Sequence, residues 1–147
     1  MSRRSSIVKA ITEKLNQIDG NAPYKTNLYG NAYPFLKFWD ECRDYPSIYV
    51  SAGSETRDYH PAQFAWGFLG ISLKVYCKGD DAQILLENLL EDIEKVIEAN
   101  RDLVYDAENS YSTTEILITS ITTDEGLLQP YAVGEMNLQV RYQIMNP

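Results

Sequence analysis

The stretch "GEMNLQVRYQI", Gly134 to Ile144, decides the fold. Met136, Leu138, Val140, Tyr142 and Ile144 alternate with Glu135, Asn137, Gln139, Arg141 and Gln143. Successive side chains of a strand point to opposite faces, so one face is apolar and the other polar. Chain ends normally fray. A long, clean alternation so close to the end predicts a strand clamped inside a sheet.

Working outward, "TEILITSITTDE" supplies another strand, joined to the last one through the turn region "GLLQPYAVG". Further upstream, "GDDAQILLENLLEDIEKVIEAN" is a helix with Asp80 or Asp81 as its cap. Ala82, Leu85, Leu86, Leu89, Leu90, Ile93, Val96 and Ile97 make a broad apolar stripe, opposite Glu87, Glu91, Asp92, Glu94 and Glu98. Such a helix covers a sheet. "FLGISLKVYCK", Phe68 to Lys78, alternates as a longer strand, and "SIYVSAG", Ser47 to Gly53, reads as a short one.

Between those two lies "SETRDYHPAQFAWG", Ser54 to Gly67, which is too long for a tight turn and mixes charges with aromatics. It reads as a protruding loop or extended hairpin. Its candidate partner contacts are Arg57 and Tyr59, because interface energy concentrates in a few aromatic and arginine side chains. Phe64 and Trp66 are expected to root it in the core. At the N-terminus, Ser5 or Ser6 caps a helix carrying Ile7, Val8, Ile11, Leu15 and Ile18, which Asp19-Gly20 stops. From Asn21 to Pro46 no period is sustained, which predicts a long, partly ordered connector.

Helix, strand, strand, helix, strand, strand is not the steady alternation of a parallel doubly wound sheet. The expectation is an α+β two-layer sandwich: one domain, residues 1–147, with a mainly antiparallel sheet of about four strands and two helices on one face. The chain's 147 residues suffice for a sizeable core, since a domain of that size buries about 70% of its unfolded surface. Net charge is −8, which argues against a nucleic-acid grip built on a basic stripe. No apolar run approaches a membrane span, and "MSRRSSIVK" lacks a signal-peptide core, so the chain is expected to stay in the cytosol where it is made.

Candidate chemistry is thin. His60, the only histidine, has no HExxH or Cys/His partner pattern, and Cys42 and Cys77 have no metal-ligand spacing. Ser54 has no recognisable base, and the glycines form neither dinucleotide nor phosphate-loop patterns. No enzyme, cofactor or metal is expected. Of eleven tyrosines, Tyr24, Tyr29, Tyr33, Tyr45, Tyr49 and Tyr59 crowd with Phe35, Phe38 and Trp39 into the connector and loop regions, which suggests contact with other proteins instead.

The order N-terminal helix, "PYKTNLYG", "YPSIYVSAGSE", "WGFLGISLKVYCKGDD", "LLENLLEDIEKVI" and "ITSITTDEGLLQPYAVGEMNLQVRY" resembles the tail terminator, or tail completion, proteins of long-tailed bacteriophages. The similarity spans nearly the whole chain through pattern and order. It looks strongest from Ser120 through the final strand, with Thr123-Asp124-Glu125 and Pro130.

The resemblance implies a virion protein at the tail-neck junction, made in the host cytoplasm. It implies a homo-hexameric ring that caps the tail tube, stops its polymerisation and meets a neck or head-completion protein. DNA would pass through the lumen without specific binding, and no membrane is involved. A lumen-facing sheet would make Glu135, Gln139, Arg141 and Gln143 channel-lining residues, in an acidic wall. Neck and head-completion proteins share the small α+β build and remain an alternative. A small ligand-binding domain would need a concave polar pocket.

Overall fold

In a computed structural model describing residues 1–146, the chain forms two helices and one six-stranded sheet. In chain order these are α1 (Arg3–Leu15), β1 (Ala32–Tyr33), β2 (Ser47–His60), β3 (Phe64–Lys78), α2 (Ala82–Ala99), β4 (Val104–Asp106), β5 (Tyr111–Thr123) and β6 (Tyr131–Met145). The sheet order is β1-β2-β3-β6-β5-β4, all antiparallel except the short β1–β2 pair.

β6 is clamped as its pattern predicts. It pairs with β3 from Phe64↔Met145 to Lys78↔Tyr131 and with β5 on its other side. Met136, Leu138, Val140, Tyr142 and Ile144 are buried, whereas the alternate residues are partly or fully exposed. The long apolar contacts of two neighbours hold the chain end in place.

The four-strand expectation falls short in two respects. Two short strands, β1 and β4, extend the sheet at its edges, and the sheet curls into a half-barrel rather than a flat layer. The curl follows from where α1 sits: it touches β1 and β2 at one edge and β4 at the other. Ile7, Val8, Ile11 and Leu15 of α1, with Leu86, Leu89, Leu90, Ile93, Val96 and Ile97 of α2, fill the concave side.

Helix ends differ from their expected caps. Ser2, not Ser5 or Ser6, caps α1, its hydroxyl accepting from the Ser5 backbone N–H at 3.0 Å. The helix stops at Leu15, and Ile18 reaches the core from the following turn. Asp81 precedes α2 without a side-chain capping bond.

Asp92 does not belong to the solvated face of α2. It is fully buried and accepts from the Lys25 and Thr26 backbone N–H groups at 3.0 and 2.8 Å and from Thr26 Oγ1 at 2.5 Å. Its position three after Leu89 and four before Val96 puts it on the apolar stripe, where one carboxylate organises the connector. Asp124 does similar work in the β5–β6 turn, accepting from Gln83 Nε2 at 3.0 Å and from the N–H groups of Leu128 and Val133, each at 3.1 Å. Burial alone would raise its carboxyl, but those donors hold it below the ordinary aspartate range.

Of the two readings of residues 54–67, protruding loop or extended hairpin, the structure bears out the hairpin. These residues are the distal arms of a β2–β3 hairpin closed by Pro61-Ala62-Gln63, with Ala62 and Gln63 at positive φ. A bulge at Gly53-Ser54 conceals this in the sequence. Ile48, Val50 and Ala52 face the helices before it, and Glu55, Arg57 and Tyr59 after it, as their β3 partners establish. The inserted residue reverses the parity, so the alternation breaks although the strand continues.

The connector is more ordered than its sequence suggests. Tyr33, Tyr45, Tyr49 and Tyr76 build a second cluster with buried Cys42 on the convex side. Tyr33 and Tyr76 flank Tyr49 at 5.3 and 5.6 Å between ring centroids.

Candidate functional site

The convex face of β3 and β6 is the surface that the fold leaves open. Its β6 residues are Glu135, Asn137, Gln139, Arg141 and Gln143, and their β3 partners are Lys74, Ser72, Gly70, Phe68 and Trp66. The tyrosine cluster and the connector cover only the end near Tyr76 and Val133. Gly53 and Gly70 carry no side chain, which leaves a shallow trough of about 430 Å³ lined also by Ser51, Ser72, Asn137 and Gln139.

The charges on this face are matched. Lys74 Nζ lies 2.8 Å from Glu135 Oε1, and Ser72 Oγ donates to the same oxygen at 3.0 Å. Lys74 above all holds the Glu135 carboxyl below the ordinary glutamate range, against burial. The Arg141 guanidinium stacks 3.9 Å over the Trp66 ring, a cation–π contact, and its Nε is buried without a partner. Gln139 and Gln143 are exposed. The face is therefore polar and close to charge-balanced, not acidic as the net charge of −8 alone suggests. Glu87, Glu91, Glu94 and Glu98 sit on α2, on the other side of the sheet.

Arg57 and Tyr59 lie apart from this face, on the helix side of the distal hairpin. Tyr59 is 64% exposed. Arg57 is partly engaged within the chain: its Nε donates to Glu55 Oε2 at 2.8 Å, and Tyr142 OH donates to Glu55 Oε1 at 2.6 Å. Burial raises the Glu55 carboxyl, yet Tyr142 and Arg57 outweigh it and leave it lowered. Gly67 makes the approach possible, since a Cβ there would sit 2.7 Å from the Tyr142 ring. Phe64 and Trp66 do not root the hairpin in the helix-side core. Ala65 does, while Phe64 and Trp66 pack edge-on at 5.0 Å on the convex face.

His60 Nε2 lies 3.1 Å from Asp58 Oδ2, and its ring lies 5.9 Å from that of Phe64, on the exposed hairpin end. Among the described residues, no group of three or more His, Cys, Asp or Glu could hold a metal ion. No helix among the described residues is long and apolar enough to cross a membrane. Sequence reading missed the structural roles of Glu55 and Asp92. The first is hidden by the bulge; the second was legible in its helical spacing.

An open polar sheet face and exposed aromatic side chains are the surfaces this fold offers to partners. Comparison with known proteins makes this specific. A family model described as Bacteriophage Tail Tube Terminator Protein matches residues 1–147. The chain is 39% identical over 153 residues to the tail tube terminator protein p142 of Escherichia phage T5, covering 97% of this chain and 95% of that protein. The chain belongs to the bacteriophage tail tube terminator family, whose members are structural proteins of the virion tail and not enzymes. Its fold is shared by a chain of the virion of a native gene transfer agent particle, with a TM-score of 0.64 at 13% identity, covering 94% of this chain and 95% of that one.

Proposed function

We propose that six copies of this chain close into a ring on the end of the tail tube, halt its growth and present their far side to a neck or head-completion protein. In this reading the convex face lines or supports the DNA channel through Glu135, Gln139, Arg141 and Gln143, and the β2–β3 hairpin reaches the tube or a neighbouring subunit through Arg57 and Tyr59.

The open convex face of β3 and β6 is the observation that carries the reading. Its charges are paired or stacked, so it offers DNA neither a basic stripe to grip nor a strong repulsion. A conduit needs a wall that does not hold the DNA. The exposed ring of Tyr59 on a rigid hairpin is suited to bury against a partner, because aromatic side chains dominate interface energy.

Light scattering over a concentration series, with negative-stain images of the protein alone and mixed with tubes, tests the ring. Six-fold rings, free or on one tube end, are expected, since weak interfaces fill by mass action. A protein that stays monomeric and ignores tubes would remove the reading. Tyr59→Ala is expected to keep the melting temperature and weaken tube capping. Arg57→Glu is a poorer probe, because it sets a second carboxylate beside Glu55.

A further inference from the structure

The sheet ends in two long unpaired edges. β1 covers β2 only at Ile48 and Tyr49, which leaves Val50 to His60 without a strand partner. β4 covers β5 only at Tyr111 and Ser112, with Leu103 accepting from the Thr113 N–H, which leaves Thr114 to Thr123 open. Unpaired backbone donors and acceptors are normally blunted by lysine, proline or inward charges. β5 has none of the first two, is rich in β-branched residues, and has Glu115 as its one charge. Leu117 and Ile121 along it are 37% and 40% exposed. Such an edge belongs against another strand.

The β2 edge has room for one. A groove of about 520 Å³ runs between β2 and α1, lined by Val50, Ser51 and Ala52 on one side and Ser5, Val8 and Lys9 on the other. A groove between an edge strand and a helix is a common receptor for an added strand, with backbone bonds giving affinity. Its charged lining residues are Lys9 and Arg4, and Arg4 donates to the Gly53 carbonyl on that edge, so backbone pairing and not charge would join a strand to it.

We infer that the open edge of β5 in one copy of this chain pairs antiparallel with the open edge of β2 in the next, joining the sheets of neighbouring subunits. The direction follows from the topology. β2 and β6 run one way and β3 and β5 the other, so copies related by rotation about a common axis bring β5 against β2 antiparallel. The level follows from the register. Ser51 is level with Ser72, Asn137 and Ser120, and Thr56 with Phe68, Arg141 and Glu115. The contact is head-to-tail, the kind that closes rings when the rotation closes. It deepens the hexamer reading above and rests on it.

Cysteine pairs test the contact. Ser51→Cys combined in turn with Thr119→Cys, Ser120→Cys or Thr122→Cys places thiols level on the two edges. Within one copy, three strand spacings of about 4.8 Å each separate them. A disulfide needs Cα atoms within about 7 Å, so any bond formed is between copies. Native Cys42 and Cys77 are buried. Oxidised double variants on tube ends or at ring-forming concentrations are expected to run as covalent multimers up to hexamer on non-reducing gels, and single variants as at most dimers. Ile121→Lys is expected to prevent ring formation with the melting temperature retained. Rings that form normally but cross-link in none of the three pairs would overturn the edge contact and leave the hexamer standing. A chain that forms no ring under any condition would overturn both.

Discussion

Asp92 shows how much one side chain organises. A buried carboxylate is tolerated only when paired and fully hydrogen-bonded, and here two backbone N–H groups and a hydroxyl surround it, with Lys95 Nζ 3.6 Å away. Asp92→Ala would strand the Lys25 and Thr26 donors and free the connector from α2. We predict a loss of about 3 kcal/mol in urea melts, and about 1 kcal/mol for Thr26→Val, which removes one donor. Equal, near-zero effects would mean that the connector is held by other contacts. Glu55 poses the same problem at the hairpin, where Tyr142 and Arg57 each donate to one of its carboxylate oxygens.

At the scale of elements, α2 is the lid of the core. Leu89 is fully buried in the apolar core beneath α2, so Leu89→Asp should destabilise by several kcal/mol. Glu91→Gln changes an exposed residue whose partner, Lys25, is also exposed, and should leave the melting temperature nearly unchanged. Thermal melts of both variants settle it, and similar small shifts would contradict the packing. The tyrosine cluster gives a second test. Burial pushes Tyr45 and Tyr76 up to about 12 from the usual 10.0. Because the folded values are raised, this stabilisation is complete below pH 10 and is lost as pH climbs toward 12. Urea midpoints should fall across that window, and less steeply in Tyr76→Phe.

These elements were unequally legible in the sequence. The alternation from Met136 to Ile144 survives because β6 is unbroken and has one wet face, and the stripe of α2 survives for the same reason. The continuity of β2 into the hairpin was obscured because the Gly53-Ser54 bulge reverses its parity and because its distal arm, Thr56 to His60, is exposed on both faces, where burial no longer selects residues. β1 and β4 are two and three residues long, too short to carry any period. Asp92 was assigned to the acidic face because its neighbours Glu91 and Glu94 are acidic, although its spacing from Leu89 and Val96 placed it with the core. The polar β6 face was readable; its charge balance was not, since Lys74 and Trp66 come to it from another strand.

For the whole molecule, the parts fit a single task. A curled sheet with its helices on the concave side leaves one broad face and two edges for assembly. The family defines that assembly as the end of a tail tube. A terminator needs one surface that recognises the tube and a different one that refuses the next tube subunit, which the proposed head-to-tail ring, with unlike upper and lower rims, would provide. In the proposed ring the lumen would pass DNA without holding it, a role that the ion pair at Glu135 and the stacked Arg141 would suit.

The most direct test of termination is electron microscopy of tail tubes elongating in purified subunits, with and without this chain added. The account predicts that added protein appears as one ring at one tube end and that elongation of capped tubes stops at the length reached on addition. Tubes that continue to lengthen to the same distribution, with no density at their ends, would contradict it.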